Sequence, residues 1–204
     1  MTSIIDISLP VHPNMPIYPG NQQTTFENIT KPSGSQLTTI TIDSHAGTHI
    51  DGPSHAGLEG TVNDFPLEVF YGPCRVIEMF NTELIEAIDL ADEHIQPGER
   101  ILFKTNNSLR GYDDFYDHWT ALSSDAAEYL AEKGVALVGI DWFGIKQKGA
   151  LDNRAHTALL KKNIPILEGI NLSEAYEGSF TLAAFPVAYQ GIDGAPTRAV
   201  LISK

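Results

Sequence analysis

The run Ser44-His45-Ala46-Gly47-Thr48-His49-Ile50-Asp51-Gly52-Pro53-Ser54-His55 gathers three of the chain's seven histidines and a carboxylate into one short stretch. His45, His49 and Asp51 stand four and then two residues apart, so an extended strand presents all three on one face. A helix would keep His45 and His49 together and swing Asp51 away, and Gly47, Gly52 and Pro53 disfavour a helix in any case. Two imidazoles and a carboxylate converging on one face suit a first-row divalent ion such as zinc or manganese, because the donors are nitrogen and oxygen without sulfur. Gly47 is expected to let the backbone pass close to the ion, with Thr48 and Ile50 packing on the opposite face. A lone strand histidine is more often a hydrogen-bonded structural residue. A cluster at this spacing in a histidine-poor chain argues for a metal instead. The spacing also differs from the helical His-Glu-x-x-His pattern.

Upstream, Pro13 to Gly20 carries three prolines and reads as a loop. Leu37 to Asp43 alternates Thr and Ile as a half-buried strand does, with Ile40 and Ile42 on one face. Downstream, Cys74 to Phe80 reads as a strand and Thr82 to Ile95 as one or two short helices. Ile101 to Lys104 reads as a strand after the Pro97-Gly98 turn. Ser123 or Ser124 can cap a helix that runs to about Lys133 and stops at Gly134. Val135 to Ile140 is most simply a buried strand. Asp152 or Asn153 can cap a helix carrying His156, and Ile164 to Leu167 forms a strand that delivers Glu168. Met1 to Asp6 already reads as a strand. The sum is a mixed α/β, strand-rich fold in a single domain over residues 1–204, with nothing that demands a doubly wound parallel sheet.

Composition narrows the function. Apolar residues make up 42% and charged residues 19%, which indicates neither disorder nor a membrane span. The formal charge of -13 argues against nucleic acid or anionic lipid as partners. Short basic pieces such as Lys146 to Lys148 and Lys161-Lys162 read as solvated faces. The amino terminus lacks the pattern of a secretory signal, and Cys74 is the chain's single cysteine, so a reducing, cytoplasmic location is expected.

The stretch from His45 to His55 resembles the His-x-Gly-Thr-His-x-Asp-x-Pro-x-His signature of the cyclase family, which includes bacterial kynurenine formamidases and isatin hydrolases. Ile5-Asp6-Ile7-Ser8, Gly139-Ile140-Asp141, Ile166-Leu167-Glu168 and Asp193 to Val200 are similar to family segments in the same order. The resemblance implies a swivelling β/β/α fold and a metal-dependent hydrolase that cleaves an amide in a small aromatic substrate, by metal-activated water. It makes His45, His49 and Asp51 metal ligands, His156 and Glu168 the completion of a site for one or two ions, and His55 the general acid/base. Taken alone, His156 could equally be a capped surface residue and Glu168 a strand-end carboxylate facing water. Tyr18, where formamidases often carry Trp, could stack on a flat ring or cover the core edge. Ala56, where the family often has Phe, is expected to enlarge the pocket, and Gly169-Ile170 departs from Asn-Leu behind Glu168. Family members tend to be homodimers or higher oligomers. Lactone hydrolysis or a dehydrating cyclisation is the alternative within the family, and a non-catalytic metal-binding or ligand-sensing protein the alternative outside it.

Overall fold

The computed structural model describes residues 2–203, so Met1 of the opening strand and Lys204 lie outside it. In chain order the strands are β1 (Ser3–Asp6), β2 (Thr25–Thr30), β3 (Gln36–Thr41), β4 (His49–Asp51), β5 (Tyr71–Met79), β6 (Leu84–Ile85) and β7 (Arg100–Thr105). They continue with β8 (Ala121–Leu122), β9 (Leu137–Ile140), β10 (Ile166–Glu168), β11 (Gly178–Ala183), β12 (Gly194–Pro196) and β13 (Val200–Ser203). Three α-helices join them: α1 (Asn106–Arg110), α2 (Ser124–Lys133) and α3 (Arg154–Leu160).

Nine strands form one sheet in the order β1-β13-β11-β5-β7-β9-β10-β4-β12. The central run β5-β7-β9-β10 is parallel, and antiparallel pairs flank it on both sides. Enclosed on both faces, Arg100–Thr105 and Leu137–Ile140 are buried at every position; β9 is apolar throughout, whereas β7 also buries Arg100 and Lys104, whose side chains bond the Val69 and Ala175 carbonyls. Helix α2 follows its sequence signals: Ser123 Oγ accepts from the Ala126 amide and Gly134 ends the helix in the left-handed region. Its Ala126, Ala127, Leu130 and Ala131 are buried in the main core, to which α3 adds Ala155, Leu159 and Leu160. Between Thr82 and Ile95 the chain forms the short β6 and a 3₁₀ segment, Ala87–Glu93, in place of α-helix. No helix among the described residues is long and apolar enough to cross a membrane.

The half-buried strand expected at Leu37 to Asp43 is corrected. β3 pairs only with β2, and every residue of this two-stranded arm is exposed. Phe26 lies opposite Ile40, and Ile29 opposite Leu37, with exposures between 40% and 56%. The alternation is that of a strand, but no second layer covers it.

Candidate metal centre

Strand β4 sits between β10 and β12, and its register builds the site. His49 pairs with Glu168, and Asp51 with Gly194. The two strand residues His49 and Asp51 share a face, as their spacing requires. His45 does not lie on that strand. It occupies a turn that ends in Gly47, whose φ of 64° is left-handed and reverses the chain into β4. Gly47 serves this turn, and its carbonyl accepts from His49 Nδ1 at 2.9 Å. The even spacing of His45 is coincidental, but the turn still delivers its ring to the same place. A side chain at Gly194 would sit 2.8 Å from His45 Cε1, so a glycine there leaves room for the imidazole. Thr48 and Ile50 are buried as expected, with Thr48 Oγ1 accepting from the Leu9 amide and donating to the Gly169 carbonyl.

The convergence is tight. His45 Nδ1 lies 2.9 Å from Asp51 Oδ1, His49 Nε2 3.4 Å from the same oxygen, and His49 Nε2 3.4 Å from Glu168 Oε2. His156, brought in by the buried face of α3, places Nε2 3.7 Å from Asp51 Oδ2 and 3.6 Å from Glu168 Oε1. It is 5% exposed, which excludes the surface alternative, and Glu168, 3% exposed, does not face water either. Despite these separations both Asp51 oxygens and His49 Nε2 make no hydrogen bond among the described residues. Glu168 Oε1 accepts from the Ile145 amide at 2.6 Å.

The tautomer of His49 sharpens this. A carbonyl can only accept, so the Nδ1 that faces Gly47 carries the proton, and in a neutral ring Nε2 then presents a lone pair to two carboxylates. Lone pairs facing lone pairs in a buried site require a proton or a metal cation between them. Burial works against charge on His49, but Asp51 and Glu168 outweigh it and raise its pKa from 6.5 to about 10. Burial likewise opposes ionisation of Asp51, yet His45 and His49 hold its carboxyl well below the usual range. Glu168 falls to about 2: burial and the Asp51 charge push it up, and His156 and His49 pull it further down.

His55 stands beside the cluster on the 3₁₀ turn Pro53–Ala56, its ring centroid 4.2 Å from that of His45 and 5.3 Å from that of His156. Its side chain is 34% exposed, and burial lowers its pKa, so the ring is neutral at pH 7. Asp193 was not singled out by sequence reading. It bonds His45 Nε2 at 3.0 Å and Ser44 Oγ at 2.9 Å, and lies 3.8 Å from His55 Nδ1. The available signal was its place at the head of the closing segment Asp193 to Val200.

A cleft of about 510 Å³ opens onto these residues. Tyr18 and Phe143 line it, and Tyr18 packs edge-on against Phe115 and Trp119 at 5.4 and 6.4 Å, so it both walls the cleft and covers a satellite core. Ala56 packs against the main core and does not itself line the cleft. The basic piece at 146–148 is also corrected: Lys148 pairs with Asp117, whereas Lys146 lines the cleft. Lys146 follows Ile145, whose amide is spent on Glu168, and this draws it inward.

The family model described as "Putative cyclase" matches residues 5–147. A kynurenine formamidase of Bacillus cereus is 35% identical over 201 residues, covering 97% of this chain and 96% of the relative. The solved structure of a "potential metal-dependent hydrolase with cyclase activity" superposes with a TM-score of 0.91 at 33% identity, covering 100% of this chain and 99% of the other. An isatin hydrolase bound to the product analogue thioisatinate shares the fold, with a TM-score of 0.86 at 21% identity over 99% of this chain and 92% of the other.

Proposed function

This chain belongs to the cyclase family, and on that premise we propose that it is a metal-dependent hydrolase cleaving an amide bond in a small aromatic substrate. The observation that carries the metal is the buried set of His49 Nε2 and both Asp51 oxygens, which face one another with no hydrogen-bond donor among the described residues. His45, His49 and Asp51 would hold a first ion, and His156 and Glu168, with Nε2 and Oε1 3.6 Å apart, would complete a position for a second. The nitrogen and oxygen donors suit zinc or manganese. When bound, such an ion supplies Lewis-acid activation of water and of the amide carbonyl.

The protein's own groups do the rest. His55, neutral at pH 7, takes a proton at the cluster and returns it to the leaving nitrogen. Because its pKa lies below 6.5, the rate falls on the acid side as pH drops through that lowered value. Asp193 fixes the His45 ring through Nε2, leaving Nδ1 toward Asp51. Tyr18 and Phe143 offer faces and edges for a flat ring. An arylformamide such as N-formylkynurenine is the leading substrate, supported by the 35% identical relative, and a cyclic amide such as isatin is the second.

We read residues 1–204 as one cytoplasmic domain, supported by the pairing of β1 with β13 and by the lone buried Cys74. A homodimer is supported by the exposed apolar pairs of the β2–β3 arm. Sedimentation of Phe26→Ser/Ile40→Ser should give monomer, and an unchanged dimer would remove the arm from the interface. The function itself is tested by assaying the metal-loaded protein and His55→Ala on N-formylkynurenine and isatin. Turnover that falls about a hundredfold or more in the variant, with metal content kept, supports it. Stoichiometric metal with no His55-dependent turnover of these or a broader amide and lactone panel would leave a binding protein instead.

A further inference from the structure

We propose that Lys146 is a specificity-determining residue of this cleft, forming the subsite for an anionic group that the aryl amide substrate carries away from the scissile bond. This rests on the amide hydrolase reading and adds a substrate-binding residue to it. The charges around the cleft are unevenly committed. Asp193 spends both oxygens on Ser44 and His45, Glu168 spends its oxygens within the metal centre and on Ile145, and Asp43 accepts from the Gln22 amide. Lys146 has no carboxylate within ion-pair distance among the described residues, and its only hydrogen bond is to the Ala150 carbonyl at 3.1 Å. Lys148, two residues on, is instead paired with Asp117.

In a chain with 26 acidic and 13 basic residues, a cation left without an acidic partner at the cleft is available to a ligand. Its position is also defined. Ile145 is tied on both sides, its amide to Glu168 and its carbonyl to the Leu122 amide, so Lys146 starts one residue from the anchor of a proposed ligand. A compact ammonium on a flexible stem suits a carboxylate approaching from solvent. The aromatic wall of Tyr18 and Phe143 would hold the ring between this cation and the histidines.

The test uses a matched pair, 4-(2-formamidophenyl)-4-oxobutanoate and its methyl ester, on metal-loaded wild type, Lys146→Met and Lys146→Arg. A charge-assisted hydrogen bond is worth about tenfold to a hundredfold, so the wild-type ratio of kcat/KM, anion over ester, should fall by at least about tenfold in Lys146→Met. The loss should appear in KM, and Lys146→Arg should retain most of the ratio. Binding of the deformylated products of both compounds, measured by calorimetry, gives the same ratio without turnover. A Lys146-dependent binding preference with no turnover would sink the hydrolase reading and keep the anion subsite. Turnover with a ratio unchanged in Lys146→Met, a wild-type preference for the ester, or failure of both products to bind would overturn the subsite.

Discussion

Asp51 and Asp141 are both wholly buried at strand ends, and the protein treats them in opposite ways. Asp141, just beyond β9, accepts from the Thr105 amide and hydroxyl, the Ser108 amide and the Asn107 side chain, at 2.7 to 3.3 Å. It thereby fastens the start of α1 to the central sheet. Asp51 has histidines on two sides and no hydrogen bond. A buried charge that the fold satisfies is structural, and one that the fold leaves open awaits a cation. Their carboxyls also shift in opposite directions, Asp141 upward through burial and Asp51 downward through its histidines.

The largest expected break comes from Asp51→Asn. Loss of a ligand should reduce amide hydrolysis by more than about a thousandfold, beyond the cost of one oxyanion donor, while the melting temperature of metal-free protein falls only slightly because Glu168 still faces the His49 proton. Kinetics with thermal melting check both halves. Asp141→Ala should do the reverse: about 3 kcal/mol of stability lost in urea denaturation, with metal stoichiometry kept. If Asp141→Ala instead released the metal at unchanged stability, the two aspartates would not be separable.

A smaller effect tests what holds the site together without metal. In stripped protein the proton on His49 takes the place of a cation, and its folded pKa of about 10 exceeds the ordinary 6.5. Its contribution is therefore fully present below pH 6.5 and is lost as pH rises through about 10. Melting temperatures of metal-loaded and stripped protein should diverge by a few degrees between pH 7 and 10. A constant gap would contradict the proton's role. The smallest effect is Thr105→Val, which removes one donor to Asp141 and the acceptor for the Asn107 amide and should cost about 1 kcal/mol in the same denaturation assay.

Much of this contrast was legible in the residues. His49, Asp51 and Glu168 follow from strand periodicity, strand-end placement and family resemblance, and the limits of α2 follow from Ser123 and Gly134. What escaped depends on contacts distant in sequence. His45 reaches the site through a turn, not along a strand, and even spacing cannot tell the two apart. Asp193, 148 residues beyond His45, joins only because β12 pairs with β4. β3 alternates like a half-buried strand but is exposed on both faces, since pattern records pairing geometry and not the presence of a covering layer. Lys146 and Lys148 look alike in sequence, yet Lys146, one residue from the Ile145 amide that bonds Glu168, lines the cleft, whereas Lys148 pairs with Asp117.

The most direct measurement is metal binding itself, by elemental analysis after dialysis and by calorimetric titration of zinc and manganese into stripped wild type and Asp51→Asn. Wild type should retain at least one ion per chain, and Asp51→Asn should bind it about a hundredfold or more weakly. Wild type that retains no ion, or an Asp51→Asn variant with unchanged affinity and stoichiometry, would contradict the assignment of Asp51 as a ligand.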